Sequence, residues 1–188
     1  MSAAEDPVGR LLAAYSPFGA VEHADVAETA ALAGAADPWS QDLPLHLTAS
    51  ALVVHPATER LLLRWHARQH SWLQVGGHGE AGERDPLQVA LREGAEETGL
   101  VDLRPWPDPA LLHAVVVPVS AKGESPAHRH ADLRFVLATD HPDDARAERP
   151  DAPLRWVGVP AALTLTAEDN LRESVRRLQH LLAHRSRR

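Results

Sequence analysis

Apolar and polar positions change their period several times along the 188 residues, and each change marks an element. Residues 46–55 (HLTASALVVH) and 60–66 (RLLLRWH) are short apolar runs separated by Pro-Ala-Thr-Glu, which predicts two strands joined by a turn. Further strands are predicted over 72–75, 111–120, 131–139 and 154–157. Helical spacing appears in residues 7–15 and 21–34, split by Ser-Pro-Phe-Gly, and again in an amphipathic stretch over 167–184. Strands interspersed with helices imply an α/β fold, a mixed sheet covered on both faces. Residues 1–40 read as a helical addition packed on a catalytic domain spanning 41–188, with Asp37-Pro38 and Leu43-Pro44 marking the loop between them.

The segment 76–100, GGHGEAGERDPLQVALREGAEETGL, predicts a helix with unusual content. Asp85 suits the N-cap, and Pro86 suits the first helical position, where its missing N–H costs nothing. Leu87, Ala90, Leu91, Gly94 and Thr98 form a narrow stripe fit for packing on a sheet, and Gly99 can close the helix in the left-handed conformation. Gly94 costs about 1 kcal/mol against alanine in a helix, which points to close approach by a neighbour. Glu93, Glu96 and Glu97 then stack on another face, where unpaired carboxylates repel. A hard divalent cation such as Mg²⁺ is the natural compensating partner, and a solvated acidic face is the alternative.

A second polar row lies in 128–135, HRHADLRF. On a strand, His128, His130, Asp132 and Arg134 share one face, while Ala131, Leu133, Phe135 and Leu137 share the other. The row suits a wall for a phosphate-bearing ligand, the alternatives being a solvated sheet face or a His/His/Asp transition-metal site. His78 sits inside the glycine loop in a position to contact substrate or to fill a turn, whereas His46, His66, His70, His113 and His180 carry no spacing signal.

Composition narrows the classes. Hydrophobic residues make up 44% and charged residues 24%, as in a soluble globular protein. No apolar run approaches a membrane span, and the N-terminus does not read as a signal peptide, so no membrane partner and a cytoplasmic location are expected. Cysteine is absent, which excludes thiolate catalysis and cysteine-based zinc sites. A net charge of −7 argues against nucleic-acid binding, despite a basic tail from His184 to Arg188. Trp39, Trp65, Trp72 and Trp106 fall near predicted strand ends, placed either to stack on a base or to anchor the core.

The 76–100 segment resembles the signature box of the Nudix hydrolases. Gly77, five residues, Glu83, and then Arg92-Glu93-Gly94-Ala95-Glu96-Glu97-Thr98-Gly99-Leu100 follow that pattern. There are two departures: eight residues rather than seven separate Glu83 from Arg92, and Gly94 stands where an aliphatic residue is usual. The resemblance implies the family's α/β/α sandwich and Mg²⁺- or Mn²⁺-dependent cleavage of a diphosphate linkage in a nucleoside diphosphate derivative. It implies metal ligation by Glu97 with Glu93 or Glu96 and by the Gly76 carbonyl, and an orienting role for Arg92 and Glu83. The general base varies in such enzymes: Glu93 is favoured here, with Glu124 and Asp132 as candidates. His78, His128, His130, Asp132 and Arg134 are expected to face substrate. Two other classes are a non-catalytic nucleotide-ligand sensor, against which the intact glutamate set argues, and a diphosphate isomerase, whose usual cysteine is missing. A homodimer through the alanine-rich N-terminal helices is one option, and their packing back on the sheet is the other.

Overall fold

A computed structural model describes residues 6–121, 123 and 126–185; Glu124 and the end of the basic tail, residues 186–188, lie outside them. Two helices open the fold, α1 (Pro7–Ala14) and α2 (Gly19–Ala33). Asp6 caps α1 by accepting from Gly9 N at 3.1 Å, with Pro7 at the first helical position. The strands β1 (Leu45–His55), β2 (Arg60–His66), β3 (Ser71–Leu73) and β4 (Val75–His78) follow, then α3 (Pro86–Thr98). After the two-residue β5 (Arg104–Pro105) come β6 (His113–Val119), β7 (His128–Ala138), β8 (Leu154–Gly158), α4 (Val159–Leu165) and α5 (Asp169–Arg185).

All eight strands join one mixed sheet. β1 and β7 are its parallel centre, paired from Leu45↔Arg129 to Val54↔Ala138. The other edge of β1 is shared: β4 pairs antiparallel with its first half, Thr48↔His78 to Ala51↔Val75, and β2 with its second, Val53↔Leu62 to His55↔Arg60. β2 carries β3 and β8, and β7 carries β5 and β6, all antiparallel.

Strand alternation divides the core into two layers. Leu47, Ala49, Ala51 and Val53 of β1, with Ala131, Leu133, Phe135 and Leu137 of β7, pack beneath α3 (Val89, Ala90), α1 (Val8, Leu12) and Trp39. Leu52, Val54, Val136 and Ala138 face the opposite way, onto Ala162 of α4 and Leu171, Val175 and Leu178 of α5. The N-terminal helices thus pack back on their own molecule. Glu22 of α2 receives two hydrogen bonds from Arg177 of α5, at 2.7 and 2.8 Å. Among the described residues, no helix is long and apolar enough to cross a membrane.

Two elements differ from the sequence expectation. The Gly76-Gly77 segment, expected as a loop, is strand β4, because β1 offers a partner whose ladder outweighs the low strand propensity of glycine. Helix α4 falls in a segment to which the sequence assigns no element; it has only seven residues and no side-chain cap, so no local signal announces it.

Candidate active site

The site begins with how α3 meets β4. Asp85 accepts from Leu87 N at 3.0 Å, and Gly99 closes the helix at φ 69° with its N–H on Ala95 O, as the sequence predicts. Gly94 is the point of close approach: a Cβ there would lie 3.0 Å from Leu103 Cδ1. That packing turns Glu93 and Glu97 toward β4, and two glycines make room for them. Gly76 has φ 142°, and a Cβ on it would lie 2.4 Å from the Ser50 Cβ. A Cβ on Gly77 would lie 2.7 Å from the Glu93 carboxylate.

Arg92 gathers the acids. Its Nε and Nη2 donate to the two oxygens of Glu83 at 3.0 and 2.9 Å, and its Nη1 donates to Glu93 at 2.9 Å and to Glu96 at 3.0 Å. Nη2 also reaches the His78 carbonyl at 2.9 Å, tying α3 to the end of β4. Glu83 therefore reaches Arg92 despite the extra residue between them. Arg92 holds the Glu83 carboxyl below its ordinary value.

Glu97 accepts from Gly76 N at 3.1 Å and pairs with Arg64 of β2 at 3.2 Å. Burial, only partly offset by Arg64 and the Gly76 N–H, pushes its carboxyl up to about 7. Glu93 is raised too, again first by burial, with Arg92 opposing. Glu96 differs, with its side chain 52% exposed. The three box glutamates share one helix surface as expected, but two are folded inward and one faces out.

Glu97, Arg64 and Gly76 line one end of a cleft of about 880 Å³. Its floor is the polar part of the β4–β1–β7 surface. In register, Gly76, Ser50 and Arg134 form one row; His78, Thr48 and Asp132 the next; His46 and His130 a third. Asp132 accepts from Thr48 Oγ1 at 3.0 Å, Ser50 Oγ at 2.9 Å and Arg134 Nε at 2.7 Å. Arg134, 2% exposed, continues to Ser174 and Asn170 of α5 at 3.1 and 2.7 Å. Strand β7 thus presents His128, His130, Asp132 and Arg134 on one face, as period two predicts.

The imidazoles bring a surprise of company and of charge. His46 and His78, which carried no metal-ligand spacing, meet His128 and His130 in one cluster with ring centroids 4.9 to 5.2 Å apart. Burial lowers His78 and His130 to about 4, so both are neutral at pH 7 and offer lone pairs and N–H groups rather than positive charge. Asp132 is turned away from them into its own hydrogen bonds, so the His/His/Asp grouping does not assemble. The polar alternation His46, Thr48, Ser50 in β1 is the signal that could have found the missing half of the floor. No tryptophan lines the cleft: Trp39 and Trp106 are buried, and Trp65 packs on Trp72 at 5.5 Å.

The overall fold is shared with solved structures. A C. elegans Ap4A hydrolase in a binary complex superposes with TM-score 0.59 at 21% identity, covering 73% of this chain and 98% of that one. The E. coli dihydroneopterin triphosphate pyrophosphohydrolase gives TM-score 0.54 at 21% identity over 75% and 97%, and a NUDIX-family hydrolase from Clostridium perfringens gives 0.53 at 19% over 72% and 97%. No curated protein matches the chain. The sequence model described as NUDIX domain matches residues 44–178, from the start of β1 into α5, and the chain belongs to the Nudix hydrolase family.

Proposed function

We propose that the protein is a divalent-metal-dependent hydrolase, using Mg²⁺ or Mn²⁺, that cleaves a diphosphate linkage in a nucleoside diphosphate derivative. The observation that carries this reading is the Arg92 clamp. One guanidinium holds Glu83, Glu93, Glu96 and the His78 carbonyl, while Glu97 rests on Gly76 at the end of a large cleft with a polar floor. Carboxylates of Glu93, Glu96 and Glu97 with the Gly76 carbonyl are a hard oxygen donor set of the kind Mg²⁺ and Mn²⁺ take. Gly77 keeps open the space against Glu93 that a Cβ would fill, and burial disfavours the charge on Glu93 and Glu97 until a cation compensates it. A cation held by these oxygens would supply charge neutralisation for the phosphates and a lowered pKa for a bound water.

The chain's own groups do the rest. Arg92 has its donors committed to protein acceptors, so it orients carboxylates rather than grips substrate. Glu93 is assigned the general base, within reach of the same space. His78, His128, His130 and Arg134 wall the substrate, with Asp132 holding Arg134 in position. The names of two similar structures, an Ap4A hydrolase and a dihydroneopterin triphosphate pyrophosphohydrolase, support a phosphoric anhydride as the bond cleaved.

The test is a panel of nucleoside di- and triphosphate derivatives with Mg²⁺ or Mn²⁺, run on the wild type and on Glu97→Gln. Turnover in the wild type should fall at least about a hundredfold in the variant, with the circular dichroism spectrum unchanged. A wild type inactive across the panel, or a Glu97→Gln variant of undiminished activity, overturns the proposal.

A further inference from the structure

We propose that His46, His78 and His130 form a second metal site, for a borderline transition-metal ion with Zn²⁺ preferred, distinct from the hard-cation site at the glutamates. The proposal goes beyond the hydrolase reading and does not depend on it.

The first support is convergence. One nitrogen from each of the three side chains lies within 4.8 Å of the other two, and among the described residues no other trio of histidine or acidic groups comes as close. The three come from three adjacent strands: His46 stands directly opposite His130 across the β1–β7 ladder, and His78 arrives from β4 on the other edge of β1. A ligand set drawn from a rigid sheet is held in place before any ion arrives.

The second support is spacing. Nε2 of His78 is 3.2 Å from Nε2 of His46, and Nε2 of His128 is 3.1 Å from Nε2 of His130. Two imidazole nitrogens bound tetrahedrally to zinc at 2.0–2.1 Å stand about 3.3 Å apart. His128 is therefore placed as a fourth donor, or else leaves the fourth position to water or an anion.

The third support is the outer shell. A carbonyl only accepts, so the 3.0 Å contact between His46 Nδ1 and the Leu43 carbonyl requires the proton on Nδ1, which bares the Nε2 lone pair. The 2.9 Å contact between His128 Nδ1 and the Pro126 carbonyl does the same for His128. Carbonyl-oriented imidazoles with inward Nε2 atoms are the arrangement of metal-ligating histidines.

Imidazole nitrogen donors select zinc, copper or nickel over Mg²⁺, so the two donor sets sort cations by chemistry. Along the strands His46 stands two same-face rows, about 13 Å, from the Ser50–Gly76 row beside Glu97, and His78 stands one row, about 7 Å, from it. The sites are separate yet open to the same cleft. The competing explanation is a purely hydrogen-bonded histidine cluster.

The test uses the full chain without an affinity tag, stripped with EDTA and dialysed against Zn²⁺ with excess Mg²⁺ present. Bound zinc is measured by mass spectrometry, and Co²⁺ substitution is followed by its visible absorption. One equivalent of Zn²⁺ should be retained by the wild type and by Glu97→Gln. His130→Asn and His78→Asn, both at partly exposed positions, should weaken Zn²⁺ binding by about tenfold or more and abolish the four-coordinate Co²⁺ bands, with circular dichroism confirming the fold. Absence of zinc uptake by the wild type, uptake unaffected by either histidine substitution, or uptake lost in Glu97→Gln would overturn the proposal. None of these readouts is turnover, so its failure is separate from failure of the hydrolase reading.

Discussion

Replacing Glu22 by glutamine measures how firmly the N-terminal helices are tied to the sheet-covering helix α5. The Glu22 carboxylate is 5% exposed and accepts from Arg177 twice, from Phe18 N at 2.6 Å and from the Tyr15 hydroxyl. Burial alone would raise its pKa, but the Arg177, Tyr15 and Phe18 donors outweigh burial and hold it at about 2 against an ordinary 4.5. That displacement corresponds to about 3 kcal/mol of stability at neutral pH. Because the folded-state value is the lower one, the unfolded chain takes up the proton first. The contribution is complete above 4.5 and is lost as pH falls toward 2. Glu22→Gln keeps an acceptor oxygen for Arg177 but removes the charge. Urea unfolding of both proteins should show a difference of about 3 kcal/mol near pH 7, shrinking by more than half by about pH 3. Neutral buried histidines away from Glu22, such as His130, lowered to about 4 by burial, also destabilise the fold on acidification, but they do so in both proteins and cancel. His113, whose Nε2 is 3.8 Å from Glu22, does not cancel, so the comparison is made in a His113→Asn background. A difference that stays constant with pH refutes the reasoning, since it would reduce the Arg177 contact to an ordinary neutral hydrogen bond.

Arg92→Lys replaces a planar fork serving four groups with one ammonium, so turnover should fall about 10- to 100-fold and half-activation should need more Mg²⁺. An unchanged Mg²⁺ titration of activity would exclude the orienting role. Gly94→Ala should raise the melting temperature by about 2–4 °C. The helix gains about 1 kcal/mol of propensity, and the new Cβ crowds Leu103 Cδ1 at 3.0 Å, the movable end of a side chain, while Leu137 and Val75 lie in ordinary contact at 3.5 and 3.8 Å. A lower melting temperature by calorimetry would mean that Leu103 has nowhere to go.

Helix α3 was legible to the residue because its signals are local: the Asp85 cap, Pro86, the apolar stripe and Gly99 all act within one or two turns. The alternation of β7 was legible for the same reason, and it placed four floor residues on one face. Strand β4 was not, since its glycines oppose strand structure and only pairing with β1 decides the matter. The histidine cluster was half legible. His128 and His130 share a strand, but His46 lies 84 residues before His130 and His78 lies 52 before it, and nothing local states that β4, β1 and β7 are neighbours. The same holds for Asp132, whose Thr48 and Ser50 partners sit 84 and 82 residues away.

One face of the sheet serves as both cleft and core, and the sequence of β1 and β7 shows why. Along β1 the same-facing positions run His46, Thr48, Ser50, then Leu52, Val54; along β7 they run His128, His130, Asp132, Arg134, then Val136, Ala138. The change from polar to apolar falls at one register step, Ser50↔Arg134 followed by Leu52↔Val136. Helix α5 covers the apolar half with Leu171, Val175 and Leu178, and on the border its Asn170 and Ser174 take the outer donors of Arg134. A buried guanidinium is costly unless its hydrogen bonds are met, and here Asp132 on one side and α5 on the other meet them. The polar floor is therefore held rigid by the helix that seals the core, and Arg177 extends the same helix to Glu22 and the N-terminal pair. Loosening α2 should thus be felt at the cleft as well as in overall stability, through a chain of named contacts from Glu22 to Asp132.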